Sequence, residues 1–381
     1  MSSHTQNHRG QGAGKAISSL KPIVKLKTRW FQITVLLAAL GQILIACTAS
    51  PAGNATIDPS SPTESAGANL SGKLVIYSGR SEPLIQPVLD RFQSQHPDIE
   101  ILLKSGRNSE LANALLEEQN NPQADIFITT EIITIQALQQ AGILQSYRSE
   151  AASALPPYAV GADHTWYGLT LRARVIMYNT ELVSEQQAPR SIFDLTDPAW
   201  KSQVASANSS NGSLQAQVAA MRQLVGEEAT ENWLREMLSN DVTWFGGHTD
   251  VRKAVGAGEF KLGLVNHYYY YLQKEEGSPV DIIYPDQTAD GIGLITNLTA
   301  VGLVQRSQNL PAARALVEFL LSAEGQQLFA SLNFEYPLIP GVPLHPSVQP
   351  IDGFRLADVD TAKAAENLDE TFDLIERAGL P

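Results

Sequence analysis

The sequence predicts an α/β protein of two lobes, each a mainly parallel sheet flanked by helices. Three observations predict it. Short apolar runs alternate with amphipathic stretches between residues 73 and 141, the strand–helix–strand order that parallel pairing requires. A long extended segment over residues 165–179 reads as a crossover into a second domain. Strand and helix patterns then alternate again from residue 204 to residue 284. A chain of 381 residues is long enough for two domains and a sizeable core.

The N-terminal segment reads as targeting sequence. Arg9, Lys15, Lys21, Lys25, Lys27 and Arg29 are its only charges, an apolar run follows over residues 31–46, and Leu44-Ile45-Ala46-Cys47 closes it. The run is too short and too interrupted for a membrane span and fits a leader. Its ending resembles the lipobox of bacterial lipoproteins, in which the cysteine is acylated and becomes the first mature residue. Cys47 is the only cysteine, so no disulfide framework and no thiolate metal site is expected. Residues 47–71 are rich in Ser, Pro, Thr, Gly and Ala and read as a flexible tether, with the leader over 1–46.

In the body, residues 73–77 form a strand, 82–96 an amphipathic helix ended by Pro97, and 99–104 the second strand. Residues 109–118 are helical, 124–128 a strand and 132–141 a helix stopped by Gly142. After the crossover, a strand at 204–206 leads through Asn208-Ser209-Ser210-Asn211-Gly212-Ser213 into a helix. That polar stretch is either an anion seat or a plain helix cap. Helices follow over 227–238 and 249–257, then a strand into the tyrosines, a strand over 280–284, helices over 311–321 and 324–332, and a helical stretch over 360–378.

The formal net charge is -13, and removing the basic leader makes the rest more acidic still. Such a body repels phosphate backbones, so nucleic acid is not an expected partner. There is no nucleotide-cradling glycine loop, no zinc or EF-hand spacing and no G-x-S-x-G elbow, and the seven histidines are scattered. Nothing argues for an enzyme. The distinctive stretch is Asn266-His267-Tyr268-Tyr269-Tyr270-Tyr271, at the end of a short buried strand. In open α/β sheets ligands bind beyond the carboxyl ends of strands. Phenols there are either packing handles or ligands for a hard cation, which alone would ionise them near neutral pH. Adjacent tyrosines can share one ion only where the backbone leaves strand geometry, since strand neighbours face opposite ways.

Four segments carry a family resemblance over residues 73–340. They are Val75-Ile76-Tyr77-Ser78-Gly79-Arg80; Arg172-Ala173-Arg174-Val175-Ile176-Met177-Tyr178-Asn179; Ser191-Ile192-Phe193-Asp194-Leu195-Thr196-Asp197-Pro198-Ala199-Trp200-Lys201; and Gly263-Leu264-Val265-Asn266-His267-Tyr268-Tyr269. Together they resemble the ferric-ion-binding proteins of ABC importers, which have the type II periplasmic binding protein fold. The resemblance implies ferric iron in an interlobe cleft, held by Tyr268 and Tyr269 with Tyr178 from the crossing segment and Tyr77 from the first strand. It implies a first lobe over residues 72–168, a second over 169–289, and a return to the first with the C-terminal helices over 290–381. It also implies a small anion such as carbonate beside the metal, for which Arg80, Arg107 and Arg174 are candidates. Where many members carry histidine this chain has Ser81 and Glu82, so no histidine ligand is expected; Glu82 and Glu131 are the remaining first-lobe candidates. The implied whole is a monomeric, lipid-anchored solute-binding protein outside the cytoplasmic membrane, delivering iron to a permease. The same architecture holding an organic acid, polyamine or oxyanion is the alternative, and an extracellular hydrolase a more distant one.

Overall fold

A computed structural model describes residues 70–381. The expected leader, Cys47 and nearly all of the tether lie outside the described residues. The first sheet starts with β1 (Gly72–Ser78), α1 (Glu82–Gln95), β2 (Ile99–Ser105), α2 (Asn108–Glu117), β3 (Ile126–Thr129), α3 (Ile132–Gln140) and the short β4 (Leu144–Gln145). β1 pairs in parallel with both β2 and β3, so each connection must cross over through a helix. Helix α1 follows from its sequence: proline near its start suits the first turn, and Ile85, Val88, Leu89 and Phe92 recur on one buried face.

The chain then enters β5 (Tyr167–Asn179), thirteen residues that are all buried. β5 serves two sheets. Residues 167–173 pair antiparallel with β10 (Thr296–Val304), which in turn lies against β3. Residues 174–178 pair antiparallel with β8 (Leu262–Asn266), in the register Arg174↔Asn266 to Tyr178↔Leu262. The handover falls at Ala173–Arg174, where the Arg174 amide donates to the Ile295 carbonyl at 2.9 Å. The second sheet is completed by β6 (Val204–Ala207), parallel to β8, by β7 (Thr243–Phe245), parallel to β6, and by β9 (Val280–Ile283) on the end of β5. Its helices are α4 (Gly212–Leu224), α5 (Glu227–Ser239), α6 (His248–Gly256) and α7 (His267–Glu275).

After β10 come α8 (Leu310–Leu321), α9 (Ala323–Asn333), β11 (Tyr336–Pro337), α10 (Thr361–Glu366) and α11 (Leu368–Ala378). The C-terminal stretch expected as one helix is broken at Asn367, whose backbone leaves the helical region. The break lets α10 pack on α3 while α11 turns its apolar face, Leu374 and Ile375, into the core of the second sheet beside Trp233 and Met237. Among the described residues no helix is long and apolar enough to cross a membrane.

A buried ion pair pins the first sheet where its strands end. Arg80, just after β1, donates to both carboxylate oxygens of Glu335 and to the Thr299 hydroxyl on β10 at 3.1 Å. Thr170 on β5 also donates to Glu335, and the guanidinium lies 5.4 Å from the Phe329 ring centroid. Two charges this deep are costly to desolvate, and the Thr299 hydroxyl, accepting from Arg80, and the Thr170 hydroxyl, donating to Glu335, offset part of the cost. Glu335→Ala is expected to lower unfolding free energy by about 3–5 kcal/mol because it strands a buried guanidinium. The double change Arg80→Met with Glu335→Leu should recover much of that loss; urea denaturation of the three proteins checks it.

Candidate metal centre

The candidate pocket opens where strands from both sheets end. It is a cavity of about 190 Å³ lined by Gly79, Arg80, Ser81 and Leu84 beyond β1, Thr130 beyond β3, Arg172 on β5, and Asn211 and Ser213 beyond β6. Gly247, His248 and Thr249 beyond β7 and Tyr268 and Tyr269 beyond β8 complete it. This is the carboxyl-end crevice that open α/β sheets use for ligands.

The tyrosine run leaves strand geometry by entering a helix. It is the first turn of α7, beginning directly after Asn266. The helical start lets two successive phenols reach one cavity, and their ring centroids lie 4.2 Å apart with a 31° tilt. Tyr270 and Tyr271 turn away. Tyr270 donates to Asp281 at 3.0 Å, and the Tyr271 hydroxyl lies 3.2 Å from that of Tyr284. His267, fully buried, orients the turn. Its Nδ1 accepts from the Ala173 amide at 3.1 Å and its Nε2–H donates to the Phe334 carbonyl at 2.9 Å, while its ring stacks on Tyr336 at 4.4 Å. Burial pushes its pKa down to about 4, so it stays neutral in this role.

Behind the phenols sit two arginines of β5 two residues apart, hence on one face of the strand. Arg174 donates to Gln217 at 2.9 Å, to Asn266 at 3.2 Å and to His248 Nε2 at 3.0 Å. An arginine only donates, so His248 is a neutral acceptor here, and burial with Arg174 and Arg172 holds its pKa well below the usual range. The edge of the His248 ring meets Tyr269 at 5.2 Å. Arg172 gives one bond to the Leu298 carbonyl at 3.3 Å and keeps a buried Nε without a protein partner. Burial, and then Tyr268, raise the pKa of Tyr269 well above the ordinary phenol value, against the pull of Arg80 and Arg172.

The structure brings Tyr268, Tyr269 and Arg80 to one cavity and places Tyr77, Tyr178, Arg107 and Arg174 outside its lining. Tyr77 is buried on β1, but its hydroxyl donates to both oxygens of Glu118, at 3.0 and 3.1 Å, and Lys104 lies over its ring. Burial and that carboxylate push its pKa up to about 12, and its hydroxyl is engaged away from the cavity. Tyr178 stands opposite Leu262, four residues from the Arg174–Asn266 pair and so about 13 Å along the strand. It lines a different cavity. Of the anion candidates, Arg80 pairs with Glu335 and keeps an unpartnered Nε, Arg174 bonds the network under the tyrosines and keeps an unpartnered Nη2, and Arg107 is exposed in a pair with Glu110. Glu82 is exposed in the first turn of α1, and Glu131 caps α3 with both carboxylate oxygens on the Thr134 amide.

Sequence reading missed Arg172 and His248. The two-residue spacing of Arg172 and Arg174 was a signal for the first, whereas nothing in the sequence distinguished His248. In the polar stretch read as either an anion seat or a cap, the Asn211 side chain caps α4, and Asn211 and Ser213 line the cavity.

The lobes meet over this pocket. A Cβ on Gly212 would stand 2.7 Å from Asn108 Nδ2 and 3.0 Å from Glu131 Cγ, across the cleft on the first lobe. Asn108 cannot swing away: it bonds the Thr130 hydroxyl at 2.8 Å and fills the space over Gly79.

Over residues 121–353 the chain matches the profile of a family described as bacterial extracellular solute-binding protein. It is similar to the Fe(3+)-binding periplasmic protein of Serratia marcescens, 28% identical over 81% of this chain and 90% of that one. It is also similar to iron uptake protein A1 of a Synechocystis strain, 31% identical over 80% of this chain and 86% of the relative. Among solved structures, iron-bound HitA from Pseudomonas aeruginosa matches 81% of this chain and 99% of its own, with 28% identity and a TM-score of 0.75. The Trichodesmium FutA complex with iron and citrate ligands matches at 28% identity and a TM-score of 0.66, over 81% and 99% of the two chains.

Gly212→Val should keep the lobes from meeting, because overpacking a tight contact costs about 1–3 kcal/mol. Small-angle scattering is expected to show the variant larger than the parent, and its retention of ligand should fall by roughly tenfold or more. Equal dimensions and equal retention would contradict the contact's role.

Proposed function

The chain belongs to the family of bacterial extracellular solute-binding proteins and has the type II periplasmic binding protein fold. On that premise we propose that it captures ferric iron as phenolates of Tyr268 and Tyr269 and delivers it to an ABC importer. The observation that carries this reading is the pair of adjacent phenols in a cavity to which, among the described residues, no carboxylate contributes. Relatives named for ferric iron binding and iron uptake support it. Members of this family bind solutes and are not enzymes, and the pocket's His248 Nε2 is engaged by Arg174.

A hard trivalent ion suits ionised phenols, and its own charge drives off their protons. Two phenolates leave one positive charge on the metal. Arg172 and the N-termini of α4, α6 and α7 add more positive potential at the same cavity. A small anion, carbonate or another oxyanion, is therefore the natural third component. Arg172 Nε and the polar start of α4 at Asn211 and Ser213 are the groups that would hold it. Because the cavity draws on both lobes, closure and capture are one event. Acylation at Cys47 would tether this body to the outer side of the membrane, within reach of a permease.

The test is optical. Adding ferric salt to the iron-free protein should produce a visible phenolate-to-iron band that disappears in Tyr268→Phe and in Tyr269→Phe. The band should persist in Tyr77→Phe and Tyr178→Phe. A colourless titration with tight binding of an organic acid, polyamine or oxyanion instead would sink the iron reading in favour of the same fold with another solute.

Affinity should also depend on pH with a fixed sign. Tyr269 is held in its neutral form in the empty protein, so metal binding must expel protons. Acid therefore favours the empty state, and the iron affinity should fall with decreasing pH, with a limiting slope of about two protons per ion. Proton release measured in weakly buffered solution checks the count, and a flat profile would exclude phenolate ligation.

A further inference from the structure

A second cavity, of about 570 Å³, lies where the far end of β5 and β9 meet the segment after β11. Its volume falls in the range of small-molecule sites. Tyr178 is one wall. The residue is 3% exposed, and its hydroxyl has no hydrogen-bond partner among the described residues. Directly opposite it on β9 stands Asp281, in the register pair Tyr178↔Asp281. One oxygen of Asp281 accepts from Tyr270 at 3.0 Å and from its neighbour's amide at 2.9 Å. The other oxygen accepts no hydrogen bond among the described residues. The facing wall is aromatic: Tyr284 and Phe354 stack with centroids 4.0 Å apart and 22° between planes. At the rim Glu185 and Arg190 stand 3.7 Å apart and largely neutralise each other.

We propose that this cavity is a second ligand site, for a small organic monocation: a protonated amine held by Asp281 and Tyr178, its carbon body on the Tyr284–Phe354 face. The charge balance selects the class. With the rim pair neutral, one carboxylate remains, which repels anions and matches a single positive charge. Aromatic faces attract cations, and most strongly where solvent is excluded. A metal ion is disfavoured, because one carboxylate oxygen and a phenol kept protonated by burial and by Asp281 and Glu185 make a poor ligand set. No group of three His, Cys, Asp or Glu side chains suited to a metal occurs among the described residues. The site is separate from the tyrosine pair and does not rest on the iron reading.

The experiment titrates the full chain with phenethylamine, and with phenethyl alcohol and 3-phenylpropionate as neutral and anionic relatives of the same skeleton. Binding is followed by calorimetry and by saturation-transfer NMR. The amine should bind at one saturable site, and the alcohol and acid about tenfold or more weakly. Asp281→Asn, which keeps an acceptor for Tyr270 and so preserves the fold, should cost the amine about tenfold, and Tyr178→Phe should weaken it less. Tyr268→Phe should leave amine binding unchanged. Alcohol binding as tight as amine binding, no saturable binding to the parent chain, or full amine binding in a folded Asp281→Asn protein would each overturn the proposal.

Discussion

The register of β5 is the constraint on which the rest of the molecule depends. One strand supplies an edge to each sheet, changing partners between Ala173 and Arg174. The Arg174↔Asn266 pair then brings the end of β8, and hence the start of α7, to the crossing point. His267 locks that placement by bonding β5 on one side and the turn after α9 on the other. A slip of one residue would turn Arg172 and Arg174 to the opposite face and empty the pocket of its positive charge.

Charge at this junction is arranged by subtraction. Arg80, Arg172 and Arg174 are almost completely buried within one region. Glu335 neutralises the first, and neutral amides and an imidazole surround the third. Among the described residues Arg80 Nε, Arg172 Nε and Arg174 Nη2 are buried without a protein partner, and Arg80 and Arg172 line the cavity. Burial and Arg172 push the Arg174 pKa down to about 9, and the nearby phenols act against that shift. The pocket thus holds positive potential without carboxylates. That setting raises the cost of a bare cation and lowers the cost of a cation accompanied by ionised phenols and an anion.

Four tyrosines were candidates as hard donors, with Tyr268 and Tyr269 the central pair, and their surroundings separate them. A phenol donating to Glu118 keeps its proton, whereas phenols beside arginine and helix N-termini are placed to lose it to a metal. The same sorting makes Tyr178 part of a different chemistry, opposite Asp281 and near an aromatic stack.

Local pattern determined most of the element order. The alternation of apolar runs with amphipathic helices required parallel pairing, and the long segment through residue 179 marked the passage between sheets, because both signals are periodic and confined to short windows. The tyrosine pair was also legible, since adjacent phenols after a buried strand are rare by composition alone. Which other side chains join that pair was decided only by tertiary structure. Tyr77 and Tyr178 lie in well-formed strands, and nothing within a strand says which neighbour will stand over its face. Glu118, Asp281 and Glu335 come from 41, 103 and 255 positions away from the residues they engage. Strand register and the packing of distant segments set those meetings, and both arise from the burial of the whole chain, not from any one stretch of it.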